Sequence, residues 1–262
     1  MIQRDVWHGV LASVPPIPPA GRLRAPLRPS SQGATGAFLG LASDGRRYWV
    51  KVANNPVGKH VLVKEQIVGR AGALIGAPTC PVITVEIPDA VVGWEFRPGR
   101  TLERGVGHGS MHIEGGIDTR RLSRQTEDDN AARYTAFVAL YDWCWGHDWQ
   151  GVHVVQDEAR FFCFDYDWYL PPGGQQWDGK CLLEYVDTPH PVPDAPVLAT
   201  AAALRIAERL EQVSRAELAH MLRHVPGEWG VPDRDLEDVG FYLERRAPQV
   251  AARLREEAGG GR

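Results

Sequence analysis

Between Tyr141 and Pro171 the chain reads YDWCWGHDWQGVHVVQDEARFFCFDYDWYLP, which sets Asp142, Asp148, Asp165 and Asp167 directly among Trp, Tyr and Phe. Aromatic residues of this density form a core, and carboxylates are rarely buried without a partner. A fold that packs this stretch must therefore supply its acids with cations, with hydrogen-bond donors, or with a metal and its ligands. That requirement constrains the chain more than any other feature of it.

The rest of the sequence frames the stretch in two halves. With 262 residues, 44% of them hydrophobic, it suffices for one large domain or two small ones. Residues 1–32, rich in Pro, Ser, Gly and Arg from position 12 on, read as an irregular arm. GAFLGLASDGRRYWVKVA carries two apolar runs around Asp44-Gly45, a tight-turn dipeptide, and reads as a β-hairpin. KHVLVKEQIVGRAGALIGA follows with Val61, Val63, Ile67 and Leu74 near helical spacing. PVITVEIP and AVVGWEF read as short strands. The glycine-rich run from Pro98 to Asp129 shows no period and reads as a long loop. Its His108 and His112, close to Glu114, lack a glutamate between them in the manner of a zinc helix, and a polar loop is the preferred reading. TEDDNAARYTAFVALYDWCWG reads as an aromatic helix, GVHVVQD and RFFCFDYDWYL as a second hairpin, and the chain after Ala195 as three helices. The expected fold is α+β with two lobes: a strand-rich N-lobe over 33–98, a mainly helical C-lobe over 99–257, a seam near Arg97–Glu103, and a frayed tail over 258–262.

Two constellations carry chemistry. Lys51 sits among alternating apolar residues on the second strand of the first hairpin, and Glu65 lies on the next helix. A strand lysine ordinarily snorkels to water, but a lysine on a strand paired with a glutamate on the following helix is also how protein kinases hold ATP phosphates. Asp148 lies in the turn after the aromatic helix, and Asp165 ends the strand RFFCFD after a short hairpin. Kinases use the same order: an aspartate that orients the acceptor hydroxyl, a hairpin, then an aspartate that holds Mg²⁺. On that reading the acids lie among aromatics because a metal and phosphates are their partners.

On these residues the sequence resembles the HipA-like kinases, of the short, stand-alone type found in actinobacteria. The resemblance spans roughly Gly33 to Glu257 and is anchored on YWVKV, KEQIVGRAGALIGAP, ALYDWCWGHDWQGVHVV, FFCFDYDWYL and the closing PGEWG and YLERRAPQV. It implies a protein-kinase-like fold with ATP between the lobes, Mg²⁺ or Mn²⁺, and transfer of the γ-phosphoryl to a hydroxyl of a protein or small molecule. Lys51 matches the phosphate lysine, Glu65 the helix glutamate, Asp148 the catalytic aspartate and Asp165 the metal aspartate. Trp94, Glu95 and Phe96, at the expected seam, would meet adenine. Gly33 and Gly36 stand where a glycine-rich phosphate loop belongs, without its usual spacing.

The departures from the family pattern keep a second reading open. His153 occupies the position of the metal-binding Asn, and Gly146, Trp149 and Gln150 replace the Asn, Arg and His around the catalytic aspartate. An imidazole there would favour Mn²⁺ over Mg²⁺. Asp167, where a glycine is usual, offers a second carboxylate to the metal. The alternative is a pseudokinase, a module that binds nucleotide or a partner without transfer. A net charge of −4 gives no general reason to expect nucleic acid, and no apolar run reaches the roughly 20 residues of a membrane span. Cys80, Cys144, Cys163 and Cys181 form no Cys-x-x-Cys pair, which argues against zinc and for a reducing, cytoplasmic setting.

Overall fold

A computed structural model describes residues 2–31, 33–156, 159–173, 179–192 and 195–260. The front half is a five-stranded barrel. Its strands are β1 (Gly21–Pro29), β2 (Phe38–Ala42), β3 (Arg47–Lys51), β4 (Val82–Ile87) and, later in the chain, β7 (Gly105–Met111), in the order β1-β2-β3-β7-β4, with β4 returning to β1. The Asp44-Gly45 hairpin forms as read, with Leu39 opposite Trp49 and Phe38 opposite Val50. Alternate residues turn inward, so Leu23, Phe38, Tyr48, Val50, Val85 and Ile87 fill the barrel. Helix α1 (His60–Ile75) packs outside it, against β4 and β7.

Two expectations for this half are corrected. The arm read over 1–32 contributes β1, which tolerates Pro26 because its pairing with β2 is bulged on either side, between Leu23 and Ala25 and between Pro26 and Arg28. The arm's first residues pack on the other half: Arg4 donates to both carboxylate oxygens of Asp238 at 2.6 Å, and the Trp7 indole to Glu244 at 2.6 Å.

The second correction moves the seam. A hairpin of β5 (Glu95–Arg97) and β6 (Arg100–Thr101) interrupts the barrel, and β7 then enters it between β3 and β4. The glycines that made GVGHGS look like a loop are what let it pass there. A Cβ on Gly107 would lie 2.8 Å from the main-chain oxygen of Lys51, and one on Gly109 would lie 2.9 Å from Val85 Cγ2. The chain therefore crosses from barrel to C-lobe over residues 112–115, where β7 ends and β8 (Gly116–Thr119) begins, rather than near Arg97–Glu103.

The back half holds α2 (Asn130–Trp143), the sheet β10-β9-β8 formed with β9 (Gln150–Val154) and β10 (Arg160–Phe164), and α3 (Gly179–Tyr185). The three expected C-terminal helices are α4 (Thr200–Gln212), α5 (Arg215–Leu222) and α6 (Asp233–Gly260), so helix continues into the tail read as frayed. These elements share one core with the inner face of α1, while the barrel keeps its own, so the kinase-like α+β architecture has two lobes joined through that helix. Residues 261–262 of the tail lie outside the described residues. Among the described residues no helix is long and apolar enough to cross a membrane.

Candidate active site

Three consecutive polar residues of α1, Lys64, Glu65 and Gln66, are buried, although an amphipathic helix would expose at least one of them. Each has a partner across the lobe boundary or on the barrel. Nζ of Lys51, at the end of β3, donates to Glu65 Oε1, and to Asp165 Oδ1 at 2.7 Å. One ammonium thus ties barrel, helix and C-lobe together. Burial alone would lower the Lys51 pKa, but the charges of Asp165 and Glu65 outweigh it and keep the group protonated. Burial pushes the Glu65 carboxyl up to about 8 against the pull of Lys51. Burial also acts to raise Asp165, and there the Lys51 charge and hydrogen bond prevail and hold the carboxyl below its ordinary value.

Asp165 reaches Lys51 because β10 is anchored first. Cys163 donates its amide to Pro78 O at 2.7 Å and accepts from the Cys80 amide at 3.0 Å, pinning the strand to the segment after α1. Two residues on, Asp165 adopts φ 64°, a left-handed conformation that costs a non-glycine residue about 1–2 kcal/mol. Strain of this kind collects at functional sites. The other Asp165 oxygen, Oδ2, accepts from Gln150 Nε2 at 2.8 Å. Asp167 follows in the next turn, its carboxyl raised by burial and by the charge of Asp165. Lys64 Nζ donates to the Asp167 carbonyl at 3.3 Å, and burial draws its pKa down to about 8. Asp148 lies between α2 and β9, where Oδ1 accepts the Trp149 amide at 2.9 Å and Arg120 Nη1 reaches Oδ1 and Oδ2 at 3.1 and 3.3 Å.

His153 is not brought to this cluster. Gln150 faces Asp165, so His153, three residues along β9, faces the opposite side. There it is buried against Phe161, with Nε2 2.7 Å from the Tyr134 hydroxyl. The Arg124 amide donates to that same hydroxyl at 3.2 Å. A ring nitrogen engaged by tyrosine in a core is not placed to ligate a metal. The amide expected at the site comes from Gln150 instead. The sequence signal for this was the strand period itself, which puts Gln150 and Val152 on one face and His153 on the other.

Trp94, Glu95 and Phe96 also lie elsewhere than expected. Phe96 is buried in the barrel near Phe38, Trp94 packs on Phe38 at 5.2 Å, and Glu95 Oε1 accepts the Gly99 amide at 2.8 Å. They belong to the inserted hairpin and not to the lobe crossing at 112–115. Gly33 and Gly36, both at positive φ, lie in the β1–β2 loop, which the Arg97 side chain fastens through Ala34 O. A cavity of about 390 Å³ lies between this loop and β5, and Lys51, Glu65, Asp148 and Asp165 do not line it.

His108 was read in a loop and stands in β7 opposite Lys51. The Gln66 carboxamide, oriented so that its oxygen accepts from Arg70, donates to His108 Nδ1 at 2.9 Å. Burial and the charges of Lys51 and Arg70 hold the imidazole neutral, with Nε2 3.7 Å from Glu65 Oε2. Asp142, the fourth aspartate of the aromatic stretch, belongs to the core: it accepts from Arg246 at 2.8 Å, from Arg253 at 2.7 Å and from the His190 amide at 3.0 Å.

At the junction of a barrel and a helical lobe, a strand lysine bridged to a helix glutamate and to an aspartate after a hairpin defines a kinase-like site. A family model described as HipA-like kinase matches residues 25–145, an interval that holds Lys51, Glu65 and Arg120 and ends before Asp148. The resemblance read from the sequence holds over that interval. No curated protein matches the chain. Two solved structures are similar in shape. A Golgi casein kinase with Mn/ADP bound is 7% identical, with 98% of this chain and 77% of that chain covered at a TM-score of 0.47. A second structure of the Golgi casein kinase is 9% identical, with 99% and 76% covered at 0.45.

Proposed function

We propose that the chain is a HipA-like phosphotransferase that moves the γ-phosphoryl of ATP to a hydroxyl of a protein or small-molecule acceptor. The observation that carries this reading is Lys51, whose ammonium is shared by Glu65 and Asp165 at the junction of the lobes. Such a lysine is oriented by its glutamate and is available to phosphate oxygens. Asp148, partly exposed beside Arg120, would orient the acceptor hydroxyl and take its proton.

The donor set suits a hard divalent cation. Asp165 and Asp167 supply carboxylate oxygens, the ligand type that Mg²⁺ and Mn²⁺ take, and the Gln150 amide orients the first of them. Among the described residues no group of three or more His, Cys, Asp or Glu converges on one point. The protein's share would be small, as for ions that keep waters and phosphate oxygens in their remaining positions. Such an ion, when bound, neutralises phosphate charge. Four cysteines, three of them buried and none in a disulfide among the described residues, fit a reducing cytoplasmic setting.

A second reading, binding of nucleotide without transfer, is favoured by one observation: the residue at the family's metal-binding Asn position, His153, is turned into the core. Thermal unfolding with ATP, alone and with Mg²⁺ or Mn²⁺, separates the two, since ligand at about 100 times its dissociation constant adds roughly 2.7 kcal/mol. Metal-dependent stabilisation that Asp165→Ala abolishes, together with release of phosphate from ATP, supports transfer. Metal-independent stabilisation without turnover supports the second reading, and no response to ATP sinks both.

A further inference from the structure

Arg120 follows β8 at a fixed place. Thr119 pairs with Gly151 across the sheet, so position 120 comes beside Gln150, the residue that holds Asp165. Thr119 Oγ1 donates to Arg121 O at 3.0 Å and accepts from Arg121 N at 3.1 Å, which locks the backbone on either side of Arg120. From there its guanidinium reaches both oxygens of Asp148, at 3.1 and 3.3 Å. Its charge also acts on Asp165, helping Lys51 to hold that carboxyl down. One arginine therefore pairs with the aspartate that would serve the acceptor and acts through its charge on the aspartate that would serve the nucleotide. The pair is open to solvent, with 65% of the Arg120 side chain and 39% of the Asp148 side chain exposed. An exposed pair of this kind adds little stability, so the fold does not depend on it and the guanidinium can exchange partners.

We propose that Arg120 is a catalytic residue for phosphoryl transfer: paired with Asp148 at rest, it moves onto the phosphoryl group as that group passes between nucleotide and acceptor. This rests on the phosphotransferase reading above. In the step, the acceptor oxygen forms a bond to the γ-phosphorus. The bond from that phosphorus to the bridging oxygen breaks, and its electron pair leaves with ADP. The acceptor's proton goes to Asp148, whose oxygens Arg120 has vacated. The planar fork of guanidinium N–H groups matches phosphoryl oxygens better than an ammonium does. An arginine in this role supplies about 10³–10⁵ in rate elsewhere.

The test uses the full chain as wild type, Arg120→Ala, Arg120→Lys and Asp165→Ala, with equal melting temperatures of wild type and the Arg120 variants as the control for folding. Calorimetry measures Mg·ADP binding with and without fluoroaluminate, a planar mimic of the phosphoryl in transit. Phosphate release from Mg·ATP, with water as acceptor, measures turnover. Fluoroaluminate should tighten Mg·ADP in wild type by about 10²-fold or more. Arg120→Ala should bind Mg·ADP as wild type does, lose the tightening, and release phosphate about 10²-fold more slowly; Arg120→Lys should recover part of both. Tightening kept in Arg120→Ala, no tightening in wild type, or faster phosphate release from Arg120→Ala would each overturn the proposal while leaving the phosphotransferase reading in place. Failure of wild type to bind Mg·ADP would overturn both.

Discussion

Gln150 and His153 stand three residues apart on β9 and face opposite ways: Gln150 donates to Asp165 at 2.8 Å, and His153 meets the Tyr134 hydroxyl at 2.7 Å. The two therefore divide between site and core. Gln150→Ala should weaken metal-nucleotide binding by about 10–100-fold, the usual effect of losing a residue that orients a metal ligand. His153→Phe should leave metal preference unchanged and cost about 1–3 kcal/mol of stability, because the Tyr134 hydroxyl loses its buried partner. Titration with Mg·ATP and Mn·ATP checks both, and a changed metal preference in His153→Phe would return the imidazole to the site.

The aromatic stretch carries a structural acid as well as functional ones. Asp142 and the fully buried Arg246 join α2 to α6, and Arg246 also donates to the carbonyls of Asp142, Trp143, Tyr185 and Thr188. Removing one partner of a buried pair leaves the other charge uncompensated, at about 3–5 kcal/mol. Asp142→Ala should unfold at much lower urea concentration than wild type, and Asp148→Ala, in an exposed pair, should not. Similar midpoints for the two variants would mean that burial does not distinguish these aspartates.

Much of this was legible in the sequence. Alternation and the Asp-Gly turn give β2 and β3, helical spacing gives α1 and the C-terminal helices, and the order of lysine, glutamate and the aspartate after the second hairpin gives the cluster around Lys51. What stayed hidden depended on packing between distant segments. β7 looked like a loop because its glycines answer to Lys51 and Val85, neither of which is near it in sequence. β1 was obscured by prolines that its bulges accommodate. His153 was misplaced by counting positions from Asp148, a count that ignores that β9 begins at once and sends alternate side chains to opposite faces. Arg120 gave no local signal, since its position follows from the pairing of β8 with β9.

The tight passage of β7 has a consequence for the site. A methyl group at position 107 would meet the main-chain oxygen of Lys51 at 2.8 Å, and backbone yields less readily than a side chain. Gly107→Ala should cost about 1–3 kcal/mol through overpacking and, by moving β3, reduce stabilisation by Mg·ATP. Gly45→Ala, at φ 80° with nothing within 4 Å, should cost the left-handed penalty of about 1–2 kcal/mol and leave the nucleotide response intact. Melting curves with and without Mg·ATP separate the two. An unaltered nucleotide response in Gly107→Ala would show that β3 does not transmit the strain to Lys51.

His224 offers a test of how the fold responds to acid. Burial, together with the charges of Arg70 and His220, lowers its pKa to about 4, and its Nδ1 is buried without a hydrogen-bond partner among the described residues. In the unfolded chain the same imidazole titrates near its ordinary value of about 6.5. A histidine whose folded pKa is depressed is held neutral by the fold, so its contribution is fully present above about pH 6.5. Between about 6.5 and 4 the unfolded chain binds a proton that the folded chain refuses, and stability is lost as pH falls through that window. Glu65, whose pKa is raised to about 8 by burial, acts with the opposite sign over part of the same range, so the overall pH profile mixes the two. Comparison of wild type with His224→Gln isolates the histidine. Urea unfolding at pH 7.5 and pH 5 should show the variant losing less stability than wild type on acidification, because glutamine takes up no proton. Parallel losses in the two proteins would mean that His224 is as readily protonated in the folded chain as in the unfolded one.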